Sequence, residues 1–152
     1  MFLAALLLAA ITTQAETSRQ LTASAEELLK IEKRVAAEND LDEGVLYEDV
    51  LSLLDAAIDA DPENLHAHAL EAGVLLLKSD NGDGTYDICY LLDARDEANR
   101  VLARGAKASA ADNGAARAVL QAIGRIPPSA IPDPPSSCDE HQGQHGTKTR
   151  SS

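Results

Sequence analysis

Asp61-Pro62-Glu63-Asn64 separates two helical patterns. Before it, Val45, Leu46, Val50, Leu51, Leu53, Leu54, Ala57 and Ile58 recur at helical spacing, and the pattern stops at Ala60. After it, Leu65, Ala69, Leu70, Ala72, Gly73, Leu75, Leu76 and Leu77 carry the same period. Asp is a favoured helix cap, and Pro is preorganised for the first helical position, where a missing N–H costs nothing. The expected arrangement is a helix ending at Ala60, a sharp reversal, and a second helix capped by Asp61 with Pro62 at its first position.

Upstream, Leu21, Ala25, Leu28, Leu29, Ile31, Val35 and Ala36 form one apolar stripe. Ser24-Ala25-Glu26-Glu27 fits a capping box at its start, with an earlier start near Thr17 as the alternative. Asn39-Asp40 and Asp42-Glu43-Gly44 break this helix. Downstream, Arg95-Asp96-Glu97-Ala98 is expected to open a helix that continues through Val101, Leu102, Gly105 and Ala106. Ala111-Asp112-Asn113-Gly114 echoes the Asp61 turn without its proline. A last helix follows, with Ala116, Val119, Leu120 and Ile123 on one face. The fold class is all-α, with about five helices.

Several of these segments resemble the tetratricopeptide repeat. Tyr47-Glu48-Asp49-Val50, Leu53-Leu54, Ala57-Ile58 and Asp61-Pro62-Glu63-Asn64 look like the second helix of such a repeat and its exit turn. Ala67-His68-Ala69-Leu70-Glu71-Ala72-Gly73 looks like the first helix of the next, with His68 at about the position of a bulky aromatic. Ala57 and Ala72 are small where paired helices must approach closely. The resemblance implies a short α-α superhelix that binds a protein or peptide partner without catalysing a reaction. It places Leu65, His68, Ala72 and Leu75 at positions of the binding groove or of the core.

The two ends differ from this body. Phe2 to Ile11 is an unbroken apolar run, and Thr13 and Ala15 suit a signal-peptidase cut after Ala15. The run is shorter than the roughly 20 apolar residues that span a bilayer. Residues 1–15 therefore read as a signal peptide, which leaves no stable transmembrane anchor and a periplasmic or secreted product. From Pro127 on, five prolines and polar residues replace helical patterning, so residues 127–152 read as a disordered tail and 16–126 as the helical domain.

The formal charge is −12, and aromatic residues make up only 3% of the chain. An acidic surface repels phosphate backbones, and few rings are available for base stacking, so nucleic acid is excluded as a partner.

A Gly/Asp-rich insertion, residues 79–93, interrupts the helices. Its Ser79-Asp80-Asn81-Gly82-Asp83-Gly84-Thr85-Tyr86-Asp87 resembles an EF-hand or dockerin calcium loop, with Ser79, Asn81, Asp83, Thr85 and Asp87 at ligand positions. Ser at the first position and Tyr90 at the twelfth lose the strongest oxygens, so such a site would be weak. A bare tight turn or short hairpin turn is the other reading, since Asn-Gly and Asp-Gly bend without any ion. Cys89 and Cys138 permit a disulfide in an exported chain; a buried free Cys89 is the alternative.

Cys138, His141 and His145 have metal-ligand chemistry but no rigid scaffold. His66 and His68, two apart on a helix, face different directions. No nucleophile or phosphate-loop motif is present, so no enzyme is expected and no cofactor other than weakly held Ca2+ is suggested.

Overall fold

Residues 2–39 contain neither Gly nor Pro, so nothing in the chain stops a helix there. In the computed structural model, which describes residues 2–39, 47–131 and 138, they form one helix, α1 (Phe2–Asn39). The expected start at Ser24 is therefore corrected. Ser24 lies in mid-helix, and its hydroxyl donates to the Gln20 carbonyl at 3.0 Å. Four further α-helices follow among the described residues: α2 (Glu48–Ala60), α3 (Leu65–Lys78), α4 (Ile88–Arg104) and α5 (Ala110–Ile123). The fold is all-α, as expected. Val45 and Leu46 lie outside the described residues.

α1 packs along α2, and α3 along α4; α5 closes over α3 and α4. α2 buries Val50, Leu51, Leu54, Ala57 and Ile58, one stripe at helical spacing. α3 is the central helix and is buried on most sides, from Leu65 through Ala69, Ala72 and Val74 to Lys78. Ala57, Ala67, Ala72, Ala94, Ala98 and Ala116 are all fully buried. These methyl-sized contacts let the helices approach closely where larger side chains would hold them apart. Lys78, buried at the end of α3, pairs with Glu48 at the start of α2 and lies over the Tyr90 ring, 5.3 Å from its centre.

The reversal between α2 and α3 differs from expectation in its cap. Asp61 closes α2: its N–H donates to Ala57 O, and its Oδ1 accepts from the Glu63 N–H at 3.1 Å. Pro62 stands in the turn rather than at the first helical position, and Asn64 caps α3 by accepting from the Ala67 N–H at 3.2 Å. The Asn64 amide nitrogen also donates to Ser18 Oγ at 2.8 Å and Thr22 Oγ1 at 2.9 Å, both on α1. A carboxylate accepts but cannot donate, so Asp could not fill this position equally well. Ser18, fully buried, donates onward to the Ala57 carbonyl at 2.7 Å.

Two more helix starts move. The Asp87 carboxylate accepts from the Cys89 N–H at 2.8 Å, so α4 begins at Ile88, seven residues before Arg95. The interruption shrinks accordingly from residues 79–93 to Ser79–Asp87. Ala111–Gly114 is not a turn but lies in the first turns of α5, because Ser109 caps that helix by accepting from the Asp112 N–H at 3.0 Å.

The start of the expected disordered tail is ordered. Pro128–Ala130 forms a 3-10 turn, and the Ala130 carbonyl accepts from the Tyr86 N–H at 2.9 Å. Cys138 and Cys89 stand at disulfide-bonding distance, with Cα atoms 5.5 Å apart. Residues 132–137 and 139–152, with His141 and His145, lie outside the described residues.

Asn64 holds the cap and two cross-helix bonds together. Asn64→Ala should lower unfolding free energy by about 2 kcal/mol, read by urea denaturation. Asn64→Asp, which keeps only the cap, should fall between the two. Equal stability of Asn64→Ala and wild type would show that the network contributes nothing.

Candidate functional site

The polar side chains of the Ser79–Asp87 loop are hydrogen-bonded within the loop and to the helix ends beside it. Ser79 is fully buried, and its hydroxyl donates to the Leu76 carbonyl at 2.6 Å. Asp83 Oδ1 accepts from the Thr85 N–H at 2.9 Å and hydroxyl at 2.6 Å, and these bonds hold its carboxyl below the usual range. Asn81 donates its side-chain amide to Thr85 Oγ1. Asp87 is committed to capping α4. A lone bridge between Asp80 and Tyr86 closes the loop, with Gly82 and Gly84 at φ 75° and 86°. Those left-handed values favour glycine and mark a tight hairpin-like turn. Ser79, Asn81, Asp83, Thr85 and Asp87 each make a hydrogen bond that serves the turn or a helix end, as in the bare-turn reading.

Of the two readings for the groove-or-core residues, burial favours the core. Leu65, His68, Ala72 and Leu75 are all buried. They belong to the core, because α3 is enclosed by its neighbours. Only Leu65 also lines an open cleft.

That cleft, about 440 Å³, lies between α1, the start of α3 and the start of α5. Arg19, Thr22, Ala23 and Glu26 of α1 form one wall. The Asp61–Asn64 turn with Leu65 and His66 forms the floor, and Lys107, Ala108 and Asp112 face α1. Its charged groups are four carboxylates (Glu26, Asp61, Glu63 and Asp112), two permanent cations (Arg19 and Lys107) and His66.

His66 bridges the two walls. Its Nδ1 lies 2.7 Å from Asp112 Oδ1 and its Nε2 3.3 Å from Glu26 Oε1. Both partners are carboxylates, so the ring meets both best when both nitrogens carry protons. Burial works against the charged ring, but Asp112 and then Glu26 outweigh it, and the His66 pKa rises above 6.5. Burial likewise opposes the Asp112 charge, but the Ser109 hydroxyl and His66 hold its pKa below the usual value. His66 points into the cleft and His68 into the interior, as the two-residue spacing on a helix dictates.

The sequence carried no sign that His66 would meet Asp112, 46 residues away. One available signal was Ser109-Ala110-Ala111-Asp112, whose ends have capping-box spacing and mark a helix start.

Comparison with family models, with curated proteins and with solved structures finds no match to this chain.

The His66 bridge makes stability pH-dependent with a definite sign. A raised folded-state pKa gives stability that is complete below about 6.5 and is lost as pH rises through the folded value. Urea denaturation from about pH 6 to 8.5 should show wild type losing this increment and His66→Gln lacking it. Parallel curves for the two proteins would remove the bridge as a stabilising contact.

Proposed function

We propose that this protein is an exported, tetratricopeptide-like interaction module, non-enzymatic, that binds a basic segment of a partner protein in the cleft between α1, α3 and α5. The observation that carries this reading is the cleft itself. It is built from the first helix of each successive hairpin together with the closing helix, as the inner face of a helical repeat array is. The occupant is argued from charge. Four carboxylates against two permanent cations leave the cleft at −2, or −1 when His66 is charged, within a chain of formal charge −12. Such a field draws a Lys/Arg-bearing segment and repels an acidic one.

Export is supported by three features. Residues 2–11 are apolar and precede small residues at Thr13 and Ala15. Among the described residues no helix is long and apolar enough to cross a membrane. Cys89 and Cys138 stand at disulfide distance, which suits an oxidising compartment. A cut after Ala15 would also keep the α1 anchor, since Ser18 and Thr22 lie beyond it.

Fluorescence anisotropy with a Lys/Arg-rich peptide and an acidic peptide of equal length tests the binding. The basic peptide should bind, more weakly at high salt, and the acidic one should not. Ala23→Arg, which fills the cleft and offsets part of its negative charge, should weaken binding at least tenfold. Equal affinity in Ala23→Arg would move the site elsewhere. Mass spectrometry of the protein recovered from its native host should show a chain beginning at Glu16 with Cys89 joined to Cys138. An intact Met1 with free thiols would overturn the export reading.

A further inference from the structure

His68 is fully buried on α3 and held at both ring nitrogens. Its Nε2 lies 3.1 Å from the Pro62 carbonyl, which can only accept, so Nε2 carries a proton. Its Nδ1 faces Glu97 Oε2 of α4 at 2.5 Å. Glu71, three residues further along α3, brings a carboxyl to the same place. One ligand atom from each of His68, Glu71 and Glu97 lies within 4.8 Å of the other two. No other group of three His, Cys, Asp or Glu among the described residues meets this condition.

One side-chain oxygen of Glu71 has no partner. Glu71 Oε2 is buried without a hydrogen bond, alone in this among the buried side-chain nitrogen and oxygen atoms of the described residues. A polar triad built only to hold two helices together would satisfy its own acceptors. Here one oxygen of Glu71, a member of the triad, is left without a hydrogen bond. Burial, then the charges of Glu97 and Asp55, hold the Glu71 carboxyl well above the usual pKa range, with Arg100 acting the other way.

We propose that His68 Nδ1, Glu71 and Glu97 form a binding site for a divalent transition-metal ion of the Zn2+ type, linking α3 to α4. The donor set is one imidazole nitrogen and two carboxylate oxygens, without thiolate. Nitrogen disfavours Ca2+ and Mg2+, and the lack of sulfur disfavours Cu+ and iron–sulfur clusters. The ring orientation matches what a metal-bound histidine needs: its remote N–H is donated to a backbone carbonyl, leaving Nδ1 as the ligand atom. Tetrahedral bonds of about 2.0–2.1 Å set ligand atoms about 3.3 Å apart. His68 Nδ1 and Glu97 Oε2 now lie closer than that, at 2.5 Å, and would part by less than 1 Å to admit the ion, while the three ligand atoms lie within 4.8 Å of one another.

Glu97 keeps 18% of its side chain exposed, which opens one edge of the cluster to an entering ion. Arg100 Nε lies 3.4 Å from Glu97 Oε2 at that edge. Asp55 shares a side-chain hydrogen bond with Glu71.

Zn2+ titration of the chelator-treated full chain against a competing fluorescent chelator tests the site, with Co2+ absorption as a spectroscopic check. One equivalent should bind, raise the melting temperature and, for Co2+, give a ligand-field band. His68→Gln should abolish the band. Glu71→Gln keeps the shape of a protonated carboxyl and should fold, yet bind at least a hundredfold more weakly. Absence of saturable binding to wild type, or unchanged affinity in Glu71→Gln, would overturn the proposal. Binding that survives Glu71→Gln but vanishes when His141 and His145 are replaced would assign the ion to the tail and overturn it equally.

Discussion

Asn64 joins three parts of the chain through one amide. Its oxygen takes the Ala67 N–H that would otherwise be an open donor at the start of α3. Its nitrogen gives both hydrogens to Ser18 and Thr22 on α1, and Ser18 passes a bond on to the last turn of α2. Position and direction of α1, α2 and α3 are thereby set at a single point. Two arrangements depend on it. The Pro62 carbonyl, in the same turn, orients His68 toward the carboxylates of α3 and α4. The outer side of the turn, with His66 beside it, forms the floor of the cleft.

The two histidines divide the acidic character of the chain into two environments. His66 is half exposed and stands between carboxylates of two other helices, so its charge links surface walls that solvent still reaches. His68 is enclosed, and the carboxyls around it are taken out of water with it. His66 thus bridges two other helices at the rim, while His68 joins α3 to the Pro62 turn and to α4 in the interior.

Much of the helical layout was readable along the chain. Periodicity located the stripes of α2, α3 and α5, and the reversal at residues 61–64 was marked by its turn residues. The boundaries were less readable, because several residues could cap each helix. Asp61 and Asn64 are both good N-caps in isolation; Asn64 wins because only it can donate to Ser18 and Thr22 as well. Ser24 looked like a cap, but without Gly or Pro the helix simply runs through it. Asp87, rather than the segment at Arg95, opens α4 because its carboxylate meets the free N–H groups there. In the Ser79–Asp87 loop the oxygen-bearing residues follow an ion-binding spacing, but spacing does not tell whether side chains turn toward a common centre or toward the backbone.

The sequence alone determined the all-α class, the helix pairing across residues 61–64 and the small alanines that let the helices meet. These follow from local rules: period, breakers and side-chain volume act over a few residues. Only the tertiary structure decided that His66 meets Asp112, that His68 meets Glu97, and that Glu71 Oε2 is left without a partner. Those contacts join residues on different helices, or reflect what the other helices enclose. Their energies depend on desolvation, which no single segment of the chain carries by itself.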